Sequence, residues 1–276
     1  MHQLPIDHKK FHECTERLRS FFISKGFTEF PSQTFPSILA ACEDPSTIGT
    51  YTSGGLLWAL PQTGQMWLEY ALLNNPESPG FFCATTSYRD ETTPTPGRHL
   101  RVFPMFEFEL RGGLNDLREL EKDLLIYLGF GDSDSFAGGQ YEAVAKEYGT
   151  EEITGEVEAV IGEKEGPVFF LESFPLSTSP FWNMRMDGTN ARKIDVLLHG
   201  METIGSAERA LDPATMRSLF YTISDGIYAK TLFEKFGRER VEAELEAFLG
   251  HSFFERSGGG IGVTRLIRAL ELSGLL

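Results

Sequence analysis

The stretch between residues 81 and 110 restricts the fold more than any other part of this sequence. Residues 81–91 and 99–110 each read as a strand, joined by Thr92-Thr93-Pro94-Thr95-Pro96-Gly97, a turn-forming linker. Successive side chains of a strand point to opposite faces. Phe106, Phe108 and Leu110 therefore share one face of the second strand and read as core, while Phe103, Glu107 and Glu109 share the other. On the first strand Arg89 and Glu91 share a face. Strands paired first by a hairpin, with helices interspersed later, predict an α+β fold: an antiparallel β-sheet flanked by helices, not a doubly wound one.

The helical periods are placed around this hairpin. Residues 7–25 carry Phe11, Cys14, Leu18, Phe21 and Phe22 at spacings of three and four, and Gly26 ends the run. Residues 27–35 read as extended and 36–55 as irregular. A helix is expected over 115–130 and a short one over 141–148, with buried strands at 168–171 and 194–198. Asp212-Pro213 combines an N-cap with proline at the first helical position and starts a helix running towards Lys230. Residues 238–249 form another, with Val241, Leu245 and Phe248 on one side, and 258–267 is a glycine loop or strand feeding a final helix. No repeat, low-complexity tract or Pro/Gly-rich linker divides the 276 residues, so a single domain over 1–276 is expected. The 23 phenylalanines supply a large core.

Charge and cysteine content narrow the partners. The net charge is −15. Binding to a long nucleic acid draws mainly on basic side chains that meet phosphates, so this balance speaks against tRNA as an obligate partner. The apolar runs are too short to cross a bilayer, and the first residues show no basic segment followed by an apolar one. Cys14, Cys42 and Cys83 are scattered without metal-type spacing, as in a reducing compartment. Cytoplasmic localisation, with no membrane partner, is the expectation.

Two segments carry chemistry. Gly258-Gly259-Gly260-Ile261-Gly262-Val263-Thr264-Arg265 lets a backbone approach a ligand closely, with an arginine beyond it for phosphate charge. Taken alone it reads sooner as a glycine-rich turn beside an ordinary surface arginine, and it is no P-loop, because no Gly-Lys-Ser/Thr follows. Around the hairpin, Arg89, Glu91, Arg98, His99 and Phe103 offer an arginine for an α-phosphate, a carboxylate for an adenine amino group and an aromatic ring to stack. A solvated charged hairpin would not need Phe103 on its charged face.

Together these segments resemble the class II aminoacyl-tRNA synthetases. The family's second motif, Arg-x-Glu, a loop, then Arg/His and Phe on the return strand, stands at residues 89–103; its third, Gly-x-Gly-x-Gly-x-x-Arg, stands at 258–265. The nearest subgroup resembled is the asparaginyl branch, next to the aspartyl and lysyl enzymes. The stretches that carry this are residues 63–69, Arg98-His99-Leu100 with 103–107, and 201–209. The chain is also similar to asparagine synthetase A and its archaeal counterpart, which are bare catalytic cores; no anticodon-binding domain is expected here.

The resemblance implies roles. ATP would be held by Arg89 at the α-phosphate, Glu91 at the adenine amino group, Phe103 and Arg265 around the ring, and Arg98 and His99 at the γ-phosphate. Arg89 and Arg265 would be the catalytic charges. Asp195 and Glu202 would hold Mg2+, a cation that prefers oxygen ligands; the alternatives are a structural ion-pair partner for Asp195 and a loop charge for Glu202. Thr63, Gln65 and Glu107 would grip the substrate's α-ammonium, and Arg209 would read the side chain of aspartate or asparagine. Its alternative is a surface arginine beside Glu208. Three departures stand out: Leu68 occupies the place of a lysine in the aspartate enzymes, Val102 that of a glutamate, and Gln33 that of the first motif's proline, a dimer-interface feature. The resemblance implies a homodimer, and this last departure counts against it.

The implied activity is an ATP-dependent, AMP-forming ligase that activates aspartate, asparagine or a close analogue as an adenylate and passes it to a small nucleophile such as ammonia. Aminoacylation of a tRNA or protein with a partner subunit is an alternative. A non-catalytic amino-acid sensor is another, against which the intact Arg89, Glu91, Phe103, Asp195, Glu202 and Arg265 argue.

Overall fold

The computed structural model of the protein describes residues 6–42 and 44–276. Residues 1–5, where the sequence shows no secretory signal, lie outside the described residues. The strands are β1 Thr28–Glu29, β2 Thr50–Ser53, β3 Leu56–Ala59, β4 Gly80–Tyr88, β5 Val102–Arg111, β6 Ala137–Gln140, β7 Val168–Pro175, β8 Met186–Asp187, β9 Asn190–Leu198, β10 Glu202–Glu208 and β11 Arg256–Gly262. The helices are α1 His8–Ser24, α2 Gln65–Asn74, α3 Leu114–Leu128, α4 Tyr141–Glu147, α5 Gly155–Glu165, α6 Pro213–Thr222, α7 Ile227–Phe236, α8 Arg238–Leu249 and α9 Val263–Leu272.

The main sheet runs β1-β4-β5-β11-β10-β9-β7-β6, with β8 joined to β9. Its centre, from β4 to β7, is antiparallel; only the edge pairs β1/β4 and β6/β7 are parallel. The expected α+β class holds. On β5 the expected alternation also holds: Phe106, Phe108 and Leu110 are buried against one layer, with Phe82 from β4 and Phe22 from α1. The rings of Phe22 and Phe106 lie 5.5 Å apart and stacked, and those of Phe82 and Phe106 5.3 Å apart. Offset aromatic packing of this kind makes a rigid floor for the sheet. Helices α1, α3 and α9 complete that layer. On the other face α2 with α6, α7 and α8 covers one side and α4 with α5 the other, leaving a trough over β5, β11, β10 and β9.

Several expected boundaries move. Asp7 caps α1 by accepting from Lys9 N at 2.8 Å, as its position predicts. The extended reading of 27–35 reduces to the short β1, and the irregular 36–55 stretch hides β2 of a separate two-stranded hairpin. The single helix expected from Asp212 towards Lys230 is broken: Ser224, Asp225 and Gly226 have φ of 51°, 55° and 78°, outside any right-handed helix, and separate α6 from α7. Helix α5, Gly155–Glu165, falls where the sequence reading expects no element. Gln33 has φ 61°, a left-handed conformation that proline's ring cannot adopt, which accounts for the missing proline at this position.

Candidate active site

The sequence alternation extends β4 through Arg89 and Glu91, but β4 ends at Tyr88. Arg89, Glu91, Arg98 and His99 instead lie in the connection to β5, which is closed at its base by Arg89 N donating to Arg101 O at 2.7 Å. The connection folds back over the trough. These four residues, Phe103, Thr63, Gln65, Glu107, Glu202, Arg209 and Arg265 line one cavity of about 340 Å³. Eleven of the twelve site residues expected from the sequence are thus brought together; the twelfth, Asp195, sits just beneath the lining.

At one end of β10 the cations gather. Arg89 lies with its guanidinium carbon 5.5 Å from the centre of the Phe103 ring. Arg265, in the first turn of α9, donates to Glu202 O at 2.7 Å and approaches Glu202 Oε2 at 3.4 Å. Arg98 donates from Nη2 to both carboxylate oxygens of Glu158 on α5, each at 2.7 Å. Glu158 in turn accepts from Glu202 N at 3.0 Å. His99 Nδ1 stands 3.2 Å from Glu91 Oε1.

Asp195 and Glu202 converge where β9 faces β10. Gly205 pairs with Asp195 in the ladder, and a Cβ placed on Gly205 would lie 3.0 Å from Glu202 Oε1 and 3.4 Å from Asp195 Oδ1. Asp195 is 7% exposed, and its Oδ1 accepts no hydrogen bond among the described residues. Burial foremost pushes its carboxyl up to about 7, aided by Glu202 and opposed by Lys193. Glu202 is shifted the other way: burial works against its charged form, but Lys193, Arg265, Arg89 and Arg98 together hold it below the usual range. A buried carboxylate oxygen with no donor, beside a second carboxylate, suits an oxygen-loving cation.

Past the other end of β10, Arg209 is 3% exposed, not the surface arginine that stood as the alternative. Its Nε donates to Glu109 Oε1 at 3.0 Å, and its Nη2 to Glu109 Oε2 at 3.0 Å and to Gln65 Oε1 at 2.8 Å. Gln65 Nε2 donates to Gly259 O at 2.7 Å. Beside it Glu107 accepts from Gly64 N at 2.6 Å and from the Thr63 hydroxyl. Glycine is needed on β11 first for this network: a Cβ on Gly258 would lie 1.9 Å from Glu109 Oε2. Glu109 is fully buried, and burial raises its carboxyl to about 7 even though Arg209 pulls it down. A second buried pair backs the first: Arg256 Nη2 donates to Glu69 Oε2 at 2.7 Å, and Asn183 Nδ2 to Glu69 Oε1 at 2.5 Å.

Sequence reasoning gave no role to Glu109, Glu69, Arg256, Glu158 or Lys193. Lys193 had a usable signal, since it lies two residues before Asp195 and so on the same strand face. Leu68, which stands in the place of a lysine of the aspartate enzymes, packs among Ala71, Leu72, Phe81 and Cys83 and does not line the cavity.

Residues 7–273 match the family model of the class II tRNA synthetases (D, K and N). The chain belongs to this family. Among curated proteins it is similar to the aspartate–tRNA(Asp) ligase of Pyrobaculum aerophilum, 25% identical over 126 residues, which cover 44% of this chain and 25% of that protein. Among solved structures it is similar to the asparaginyl-tRNA synthetase of Pyrococcus horikoshii complexed with asparaginyl-adenylate, with a TM-score of 0.74, 22% identity, and coverage of 96% of this chain and 65% of that one. The aspartyl-tRNA synthetase of Entamoeba histolytica gives a TM-score of 0.69 at 18% identity, covering 95% of this chain and 54% of that one. At these identities the structural likeness establishes the class II synthetase fold. This family member spans less than two thirds of the length of each of these proteins. No helix among its described residues is long and apolar enough to cross a membrane.

Proposed function

We propose that this chain is an ATP-dependent, AMP-forming ligase that activates aspartate, asparagine or a close analogue as its adenylate and passes it to a small nucleophile such as ammonia. The observation that carries this is the placement of Arg209. It is fixed by Glu109 and Gln65 through Nε and Nη2, and it lines a cavity shared with Arg89, Glu202 and Arg265. A guanidinium so held presents donors in one orientation, which suits a side-chain carboxylate or amide oxygen. Thr63, Gln65 and Glu107 form the adjoining site for the α-ammonium.

In this reading a carboxylate oxygen of the amino acid attacks the α-phosphorus of ATP in line. The bond from that phosphorus to the bridging oxygen breaks, and pyrophosphate leaves with its electrons. The attacking carboxylate is already ionised, so no general base is required; positioning and charge neutralisation do the catalysis. Arg89 and Arg265 face the phosphates, Glu91 the adenine amino group, and Phe103 with Arg265 the ring. Arg98 and His99 reach the γ-phosphate, Arg98 by leaving Glu158. Asp195 and Glu202 are the residues that would hold Mg2+, which when bound screens phosphate charge. Ammonia then attacks the acyl carbon, AMP leaves, and the nitrogen loses a proton to give the amide.

Incubation with ATP, aspartate and isotopically labelled ammonia tests this reading. AMP and labelled amide are expected in equal amounts. AMP formation from aspartate or asparagine that requires a tRNA or a protein acceptor would favour aminoacylation with a partner. No AMP under any of these conditions, with ATP or amino acid still bound, would favour a sensor.

A further inference from the structure

The cation nearest the two converging carboxylates is one the chain carries itself. Lys193 Nζ donates to Asp195 Oδ2 at 2.5 Å and lies over the Phe174 ring, 3.8 Å from its centre. Lys193 also lines the cavity. Asp195 thus has one oxygen taken by an ammonium and one, Oδ1, turned towards Gly205 and Glu202 with no donor.

We propose that Lys193 is the internal counter-ion of this carboxylate pair and competes with a divalent cation for Asp195, so that the cation binds weakly without nucleotide and ATP relieves the competition. This rests on the reading of Asp195 and Glu202 as the cation's ligands. The charges decide it. Asp195 and Glu202 already face four cations, Lys193, Arg265, Arg89 and Arg98, the last of them paired with Glu158. Adding a divalent ion to this partly buried group, whose negative charge is already met, leaves an excess of positive charge, which is costly where the effective dielectric is below that of water. The triphosphate brings the negative charge that makes up the excess, and its oxygens offer the ammonium another acceptor. Metal and nucleotide binding are therefore coupled through one lysine, and by linkage the coupling is reciprocal.

The test is a Mn2+ titration of the intact chain, followed by the electron paramagnetic resonance of free Mn2+ at pH 8.5, where protons do not compete for the carboxylates. Without nucleotide, Lys193→Met should bind Mn2+ on the order of tenfold more tightly than the wild type. Lys193→Arg, which keeps the charge, should bind as weakly as the wild type; this separates charge from loss of packing on Phe174. With a non-hydrolysable ATP analogue the advantage of Lys193→Met should disappear. Nucleotide-free affinity in Lys193→Met equal to or weaker than wild type, while Asp195→Asn and Glu202→Gln each abolish binding, would overturn this inference and leave the ligand reading standing. Tight binding in Lys193→Met that survives Asp195→Asn would overturn both.

Discussion

The guanidinium of Arg209 and the carboxylate of Glu109 form a two-point pair, with Nε and Nη2 each 3.0 Å from a carboxylate oxygen, both side chains inside the protein. Such a pair adds little net stability over apolar residues of the same shape, but losing one partner leaves a buried charge uncompensated. Glu109→Leu or Arg209→Met alone should therefore cost about 3 kcal/mol or more in urea unfolding. The double variant should cost clearly less than the sum, because the pair then vanishes together. Additive losses would mean that the two side chains are held independently.

The phosphate end makes a separate prediction. Arg89→Ala and Arg265→Ala should each reduce pyrophosphate exchange on the order of 100-fold or more while leaving thermal unfolding close to wild type, since each removes a preorganised positive charge. Exchange at the wild-type rate in either variant would remove that residue from the chemistry.

The hairpin alternation and the glycine run were readable because each is a local pattern: a period of two, and glycines where a side chain would collide. The α+β class and eleven of the cavity residues follow from them and from the family resemblance they support. What stayed hidden depends on contacts distant in sequence. Nothing around Glu109 says that it anchors Arg209, a hundred residues away, while Glu107, two residues earlier, bonds Thr63 and Gly64. The break between α6 and α7 lies in Ser224, Asp225 and Gly226, and there the sequence does carry a local signal, since an Asp-Gly pair marks a turn that the helical reading runs through. Leu68 aligns with a pocket lysine, yet its helix turns it into an apolar cluster. Leu68→Lys would therefore bury an ammonium among Phe81 and Cys83 and should destabilise the protein, not redirect its substrate preference.

Glu121 on α3 gives a pH signature. It is fully buried beneath the sheet, and burial foremost, with Asp195 and Glu172 adding to it against Ser206 and Arg118, pushes its carboxyl up from 4.5 to about 8. The folded protein thus keeps a proton that the unfolded chain loses. The stability this provides is complete below pH 4.5 and is lost as the pH rises to about 8. Glu121→Gln removes that dependence. Relative to wild type the variant should gain up to about 1.4 kcal/mol per pH unit across this window, measured by urea unfolding between pH 5 and 8. Parallel pH profiles for the two proteins would show that Glu121 does not hold the proton.

With a net charge of −15, the chain should bind bulk tRNA weakly or not at all at physiological salt, as read by filter binding or anisotropy. A specific submicromolar complex would move the acceptor from a small molecule to tRNA.

The most direct test of the account is amino-acid-dependent exchange of pyrophosphate into ATP, measured with aspartate, asparagine, glutamate and lysine on the wild type and Arg209→Leu. The account predicts exchange with aspartate or asparagine in the wild type. In Arg209→Leu it predicts a loss of roughly tenfold to a hundredfold in amino-acid affinity with ATP binding kept, as expected for a charge-assisted contact of about 1.5–3 kcal/mol. Exchange driven by lysine or by a large apolar amino acid, and unaffected by Arg209→Leu, would contradict it.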